Sequence, residues 1–225
     1  MENKIETLKG EKLMLEYKIY QPEKTDKKPG LILLLHGLGS NEEDLFRLKD
    51  SLPEGYIVVS ARAPYTLAPG RYAWFELSNV LGKPVINAQQ AEKSRLVLNT
   101  FISQLIERYD IDEENIYMGG FSQGGIMSYS VGLTFPHKLT GIFILSSRLL
   151  PEVKPLIKSA SLLQKLRVFI AHGTRDNVLP LHYAQEATAY LREIVPLIEY
   201  HEYDMEHRTG VAELADLKSW IELGG

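Results

Sequence analysis

Short apolar runs alternate with longer amphipathic stretches along this chain, and glycine, proline or asparagine usually separates the two. The short runs are rich in leucine, isoleucine and valine, so they predict buried strands. Apolar residues repeat at helical spacing over 88–109, which predicts a long amphipathic helix. The predicted strands cover residues 31–35, 56–59, 116–118, 141–145, 168–171 and 197–200.

This order of strands and helices predicts an α/β fold with a mostly parallel central sheet and helices on both faces. Residues 13–20 instead alternate apolar and polar positions, which predicts an antiparallel strand at a sheet edge. The sequence contains no internal repeat and no shift in composition. We therefore expect one domain over residues 1–225.

Residues 64–87 interrupt the alternation. Prolines and glycines make this segment irregular in pattern, yet it carries the aromatic residues Tyr72, Trp74 and Phe75. Loops of this length usually serve binding or catalysis, so we expect the segment to lie near a functional site.

Composition narrows the class of protein. The chain has 225 residues, a net charge of -4 and no cysteine, which argues against nucleic-acid binding and excludes a thiol nucleophile. The polar N-terminus lacks the apolar core of a secretory signal. The longest aliphatic run is far below the ~20 residues of a membrane helix. We expect a cytoplasmic protein that does not span a membrane.

The strongest local motif is Gly120-Phe121-Ser122-Gln123-Gly124, which follows a predicted strand and precedes a helical pattern. This is the strand, turn and helix context of a nucleophile elbow, in which a serine sits on a strained turn. Glycines two residues before and after the serine relieve the crowding of such a turn. Ser122 is therefore the predicted nucleophile.

A serine hydroxyl needs a base to take its proton and a carboxylate to orient that base. Nucleophile elbows of this kind occur in the α/β-hydrolase fold, where the chain order of the triad is serine, acid, histidine. Asp176 follows the strand at 168–171 and occupies a predicted loop at its carboxyl end. His207 is the histidine that lies beyond the last predicted strand, before the terminal helix. Asp176 and His207 complete the predicted triad.

Acyl transfer also needs amides that stabilise an oxyanion. The fold places one in the residue after the nucleophile, here Gln123, and the other in the loop after an early strand, here Leu38. No cofactor is expected for this chemistry. His201, Glu202 and His207 lack the spacing of a zinc-binding helix, so no metal site is predicted.

Five segments of the chain carry a resemblance to a known family. They are residues 35–39, 74–76, 119–125, 172–176 with Val178 and Pro180, and 203–207 with the following helix that contains Trp220. Together they resemble the phospholipase/carboxylesterase family, which includes the acyl-protein thioesterases. The resemblance implies a minimal α/β hydrolase without a large cap that cleaves esters or thioesters. It also implies that Ser122, Asp176 and His207 form the triad, and that the loop around Trp74 and Phe75 lies over the site.

Two positions depart from the family pattern. The family usually has glycine before the base, where this chain has Glu206, and a Ser-Gly pair where it has Ser146-Ser147-Arg148. A carboxylate beside His207 and a cation at Arg148 are expected to change the acyl or leaving-group pocket. Removal of protein-linked acyl groups is therefore not carried over from the family.

Apolar side chains near these motifs are candidates for the substrate pocket, because ligand sites are mostly apolar with a few polar anchors. We expect a small-molecule ester or thioester as the substrate. The predicted substrate-binding residues are Trp74, Phe75, Leu77 and Leu179, together with the side chain of Leu38.

Alternatives remain open on the sequence. The same fold and triad serve hydrolases of peptide, lactone or sugar-acetyl bonds, and a binding protein can keep the fold without the chemistry. A nucleotide-binding α/β protein is disfavoured because no complete phosphate loop is present. The pattern leaves a homodimer open.

Overall fold

A computed structural model describes residues 13–23, 27–80 and 83–224. Its centre is a seven-stranded sheet in the order β1-β3-β2-β8-β9-β10-β11, in which β1 is antiparallel and the other six strands are parallel. The sheet strands are β1 (Tyr17–Tyr20), β2 (Gly30–Leu35), β3 (Tyr56–Ala61), β8 (Ile116–Phe121), β9 (Gly141–Leu145), β10 (Arg167–Gly173) and β11 (Leu197–Tyr203). The helices are α1 (Glu42–Phe46), α2 (Ala88–Tyr109), α3 (Gln123–Gly132), α4 (His182–Arg192) and α5 (Val211–Glu222).

Both faces of the sheet are buried, which explains why the central strands are almost wholly apolar. In β2, Leu31, Leu33 and Leu35 face one core, and Ile32 and Leu34 face the other. The first core also contains side chains of α2, α3 and α4, and the second contains side chains of α1 and α5. The predicted α/β-hydrolase class, with helices on both faces, is confirmed, and no large cap is found among the described residues.

Several predicted elements agree closely with the structure. The long helix spans Ala88–Tyr109, and the side chain of Asn87 caps its first turn by accepting from the amide of Gln90. The predicted antiparallel edge strand is confirmed for Tyr17–Tyr20 but not for 13–16. None of the helices in the described ranges is long and apolar enough to cross a membrane.

The irregular appearance of residues 64–87 was misleading. This segment forms two β-hairpins, and Gly70, with a φ of 71°, turns the first of them. Pro69 and Gly70 occupy the first turn, and Pro84 lies inside β7, so the sequence pattern gave no clear sign of these short strands. Residue 82 lies outside the described residues. The strands are β4 (Tyr65–Ala68), β5 (Arg71–Ala73), β6 (Leu77–Val80) and β7 (Lys83–Ile86).

Candidate active site

The turn at Ser122 joins β8 to α3 and holds the serine in a strained conformation. Ser122 has φ 54° and ψ -115°, a region that side-chain-bearing residues rarely adopt. Its amide donates to the carbonyl of Leu145 at 2.9 Å. A Cβ at Gly120 or Gly124 would lie 2.2 or 1.8 Å from the carbonyl oxygen of Leu35. Both positions therefore require glycine, as the motif predicted.

The structure brings Ser122, His207 and Asp176 into one hydrogen-bonded line. The Nε2 atom of His207 lies 3.0 Å from the Ser122 hydroxyl oxygen, and its Nδ1 atom lies 2.6 Å from a carboxylate oxygen of Asp176. The ring of Phe121 packs against the imidazole at a centroid distance of 4.6 Å. Asp176 and Ser122 lie 31 and 85 residues from His207 in sequence, so the topology of the sheet brings the three side chains together.

Asp176 is a buried carboxylate that has several donors. Its side chain is 0% exposed, and its Oδ1 atom accepts from the amides of Val178 at 2.9 Å and Leu179 at 2.8 Å. These bonds leave Oδ2 for the imidazole of His207. Such donors satisfy a charge that would otherwise be costly to bury, and they fix the carboxylate in the orientation that the base needs.

His172 supports this loop, a role that the sequence did not reveal. It is fully buried, and its Nε2 atom lies 2.7 Å from the carbonyl oxygen of Leu179 and 3.3 Å from Asp176. Burial lowers the pKa of His172, so the neutral ring with a proton on Nε2 donates to Leu179. In the sequence, the only indication of this role was a histidine directly before Gly173, at the end of a predicted strand.

The two predicted oxyanion amides follow neighbouring strands of the sheet. Leu38 follows β2, and Gln123 begins α3 after β8, which pairs with β2. Neither amide donates to another group in the described part of the chain. The Leu38 loop is held by the first hairpin, because the amide of Gly39 donates to the carbonyl of Tyr72 at 2.8 Å.

Trp74 and Phe75, which were predicted to line the substrate pocket, are instead buried. They are 0% and 1% exposed and belong to the hydrophobic core, so they present no surface to a ligand. Their backbones are instead bound by the side chain of Gln123. Its Oε1 accepts from the amide of Trp74 at 2.8 Å, and its Nε2 donates to the carbonyl of Phe75 at 2.7 Å.

The indole of Trp74 continues this network to the loop after β2. Its Nε1 donates to the carbonyl of His36 at 3.0 Å. The ring of His36 is fully buried, accepts from the amide of Ala63 at Nε2 and donates from Nδ1 to the carbonyl of Gly37. Burial lowers the pKa of His36, which favours this neutral form. The loop that carries Leu38 is thus fixed on both sides.

Leu77 and Leu179 remain available for contact with a ligand. Leu77 is 43% exposed on β6 and lines a surface groove with Ile86 and Asn87. Leu179 is half-buried beside the acid loop, and the side chain of Leu38 is 42% exposed. Exposed apolar side chains therefore lie on the loops that carry both halves of the predicted site.

The departures from the family pattern lie beside the triad. The hydroxyl of Ser147 donates to the carbonyl of Ser122 at 2.7 Å, so it braces the elbow. The guanidinium of Arg148 lies over the ring of Tyr183 at 5.5 Å. Glu206 is exposed, next to His207. No sequence pattern indicates that Ser147 contacts the nucleophile.

His201 and Glu202, whose spacing from His207 did not predict a metal site, have other partners in the structure. His201 pairs with Glu199 at 2.7 Å, and Glu202 accepts from Tyr200 at 2.6 Å. No group of three side chains with metal-binding geometry occurs within residues 13–23, 27–80 and 83–224.

The sequence of this chain is similar to those of known proteins. The sequence pattern of a family described as phospholipase/carboxylesterase matches residues 18–224. The chain is 27% identical over 213 residues to acyl-protein thioesterase 1 of Kluyveromyces lactis, covering 88% of this chain and 93% of the relative. It is 27% identical over 235 residues to acyl-protein thioesterase 1 of Mycosarcoma maydis, covering 93% and 97%.

Solved structures share the fold. A carboxylesterase of Bacillus cereus aligns with a TM-score of 0.78 at 23% identity, over 94% of this chain and 95% of that one. An acyl-protein thioesterase 2 of Zea mays aligns with a TM-score of 0.73 at 20% identity, over 93% and 98%. At these identities the likeness concerns the arrangement of the sheet and helices.

Proposed function

The chain belongs to the phospholipase/carboxylesterase family of α/β hydrolases and is a carboxylic ester hydrolase, and we propose that Ser122 is its nucleophile, His207 its base and Asp176 the acid that orients the base. The observation that supports these roles best is the position of His207. One ring nitrogen lies 3.0 Å from the serine hydroxyl and the other 2.6 Å from the buried carboxylate. A base needs this double contact to take a proton and hold the resulting charge.

In the proposed reaction the Ser122 oxygen attacks the acyl carbon while its proton moves to Nε2 of His207. The carbonyl oxygen becomes an oxyanion, which the amides of Leu38 and Gln123 stabilise. The bond to the leaving alcohol or thiol then breaks, and His207 returns the proton to the leaving group. Water, deprotonated by His207, attacks the acyl-serine, which releases the carboxylic acid and restores the Ser122 hydroxyl.

We include thioesters among the substrates because relatives of this chain are named acyl-protein thioesterases. The leaving thiolate needs less protonation than an alkoxide, so the same triad serves both bonds. Hydrolysis of peptide, lactone or sugar-acetyl bonds by the same fold is the second candidate. No contact in the described residues favours it over the first.

The direct test is hydrolysis of a p-nitrophenyl ester and an acyl thioester by the purified protein and its Ser122→Ala variant. We expect the variant to fold normally and to lose at least about 10⁴-fold in kcat on both substrates. Ser219→Ala, which changes an exposed serine of α5, is the matched control and should keep wild-type rates. Wild-type turnover by Ser122→Ala would refute the assignment.

Other expectations about this protein stay predictions. A single domain over residues 1–225, a cytoplasmic location and the absence of nucleic-acid binding rest on the sequence pattern and charge alone, and a homodimer stays open. A cofactor is not required by the reaction proposed above.

A further inference from the structure

The segment that follows β9 lies between the two loops that carry the nucleophile and its acid. The sheet order places β9 between β8, which ends at the elbow, and β10, which leads to Asp176. Within this segment, the hydroxyl of Ser147 is 2.7 Å from the carbonyl oxygen of Ser122. The next residue, Arg148, therefore enters the same rim of the sheet as the triad.

Arg148 is held in place without an anionic partner. Its guanidinium lies 5.5 Å from the centroid of the Tyr183 ring, in the first turn of α4, and the side chain is half-buried. No carboxylate of the described residues lies within ion-pair distance of it. Stacking on an aromatic ring leaves the edge of the guanidinium, with its N–H donors, free to bind.

Other arginines of this rim differ from Arg148. Arg175 forms an ion pair with Asp204 at 2.7 Å, and Arg62 binds Glu42 and Glu16. Arg71 donates to the carbonyl of Gly39 at 3.3 Å. Each of these therefore has an acceptor within the protein, whereas the donors of Arg148 have none in the described ranges.

We propose that Arg148 forms an anion subsite beside Ser122, which selects esters or thioesters that carry a carboxylate or phosphate. This inference rests on the proposed function. A guanidinium binds either group through two parallel hydrogen bonds. Because stacking on Tyr183 already restricts the side chain, binding an anion costs little further conformational entropy. Because the chain has a net charge of -4, the positive charge of Arg148 is a local feature and not part of a generally basic surface.

The test uses two matched substrate pairs. The first compares the p-nitrophenyl monoester of glutarate with p-nitrophenyl valerate, which has the same acyl length and no charge. The second compares the butyrate ester of glycerol 3-phosphate with that of glycerol. The first pair places the anion on the acyl group, and the second places it on the leaving group.

We expect wild-type protein to prefer the charged member of at least one pair, and Arg148→Met to lower that preference by roughly 10- to 100-fold. The pair that responds identifies the side of the scissile bond on which the anion lies. Arg192→Met, at the far end of α4, removes the same charge away from the rim and should leave the ratio at its wild-type value. Arg148→Gln serves as a second variant if Arg148→Met does not fold.

Two results would overturn the subsite. If wild-type protein hydrolyses the valerate ester through Ser122 but neither ratio changes in the Arg148 variants, the subsite is wrong and the proposed function stands. If wild-type protein hydrolyses none of the four substrates, the proposed function is wrong, and so is the subsite that depends on it.

Discussion

The two halves of the proposed site are built in different ways. The acid–base side, made of His172, Asp176, Leu179 and His207, uses a buried carboxylate whose amide donors lie two and three residues away. The oxyanion side, made of His36, Leu38, Trp74, Phe75 and Gln123, uses contacts between residues 38 to 49 positions apart. Local contacts fix the carboxylate of Asp176, and long-range contacts fix the oxyanion side.

This difference shows that the acid and the oxyanion loop are held in place by different parts of the fold. A short loop closes on itself at little cost in chain entropy, so the acid can be fixed almost independently of the rest. The oxyanion loop instead depends on a separate pair of hairpins, which the Gln123 side chain connects to the elbow. We therefore expect changes on the acid–base side to alter proton transfer, and changes on the oxyanion side to alter stabilisation of charge on the substrate.

The largest effect is expected from Asp176→Asn. The amide cannot balance the charge that His207 gains, and its NH₂ group favours the wrong tautomer of the imidazole. We expect kcat for a p-nitrophenyl ester to fall by about 10³- to 10⁴-fold while KM changes little. Asp204→Asn, which alters the exposed ion pair with Arg175, is the matched control. A loss below tenfold in Asp176→Asn would show that Asp176 does not orient the base.

A smaller effect is expected from Gln123→Met on the oxyanion side. The backbone amide of Gln123 is retained, but the amide of Trp74 and the carbonyl of Phe75 lose their partners. We expect kcat to fall by roughly 10- to 100-fold with KM within about threefold, because the oxyanion amides lose their alignment.

The matched control for Gln123→Met is Gln185→Met, since Gln185 makes an exposed side-chain hydrogen bond to Glu202. Steady-state kinetics at several ester concentrations separates kcat from KM. A rise in KM alone would contradict the account, because it would place the Gln123 side chain in substrate binding rather than in alignment of the amides.

The smallest effect concerns stability, at the helix that follows His207. Glu213 is fully buried in α5, and one carboxylate oxygen accepts from the amide of Gly210 at 3.1 Å. Burial raises the pKa of Glu213 to about 7, although the Gly210 contact opposes the shift. The folded state thus holds a proton that the unfolded state releases above pH 4.5, so stability falls as the pH rises from there towards 7.

Glu213→Gln should remove this dependence, because the amide stays neutral and keeps an acceptor for Gly210. At pH 8 we expect the variant to be more stable than wild type by about 2 to 3 kcal/mol, and to be similar to wild type at pH 5. Thermal unfolding of both proteins between pH 5 and 8 measures this difference. A constant gap between the two Tm values across that range would show that Glu213 does not titrate.

The acid–base side and the elbow could be predicted from sequence because each depends on a motif beside a strand. Ser122, Asp176 and His207 follow strands whose apolar patterns are clear, and their chain order matches the fold. The predicted strand ends were too early, since Phe121 and Gly173 still belong to β8 and β10. Glycine is uncommon inside strands, so a glycine-containing motif predicts a strand end earlier than the one observed.

The oxyanion side was predicted less well for a physical reason. Trp74 and Phe75 lie in a segment whose short hairpins have no clear periodicity, so their burial could not be read from the pattern. Aromatic residues near a motif suit either a pocket wall or a core. The Gln123 side chain reaches them only in three dimensions, 48 and 49 residues away.

The central claim is that His207 and Asp176 make the hydroxyl of Ser122 reactive. A fluorophosphonate probe followed by peptide mass spectrometry tests it most directly, because the reagent modifies an activated serine. We predict one adduct per chain, on Ser122, and a labelling rate at least about 10³-fold slower in His207→Ala. An adduct on another residue, or equal labelling of Ser122 in His207→Ala, would contradict the account.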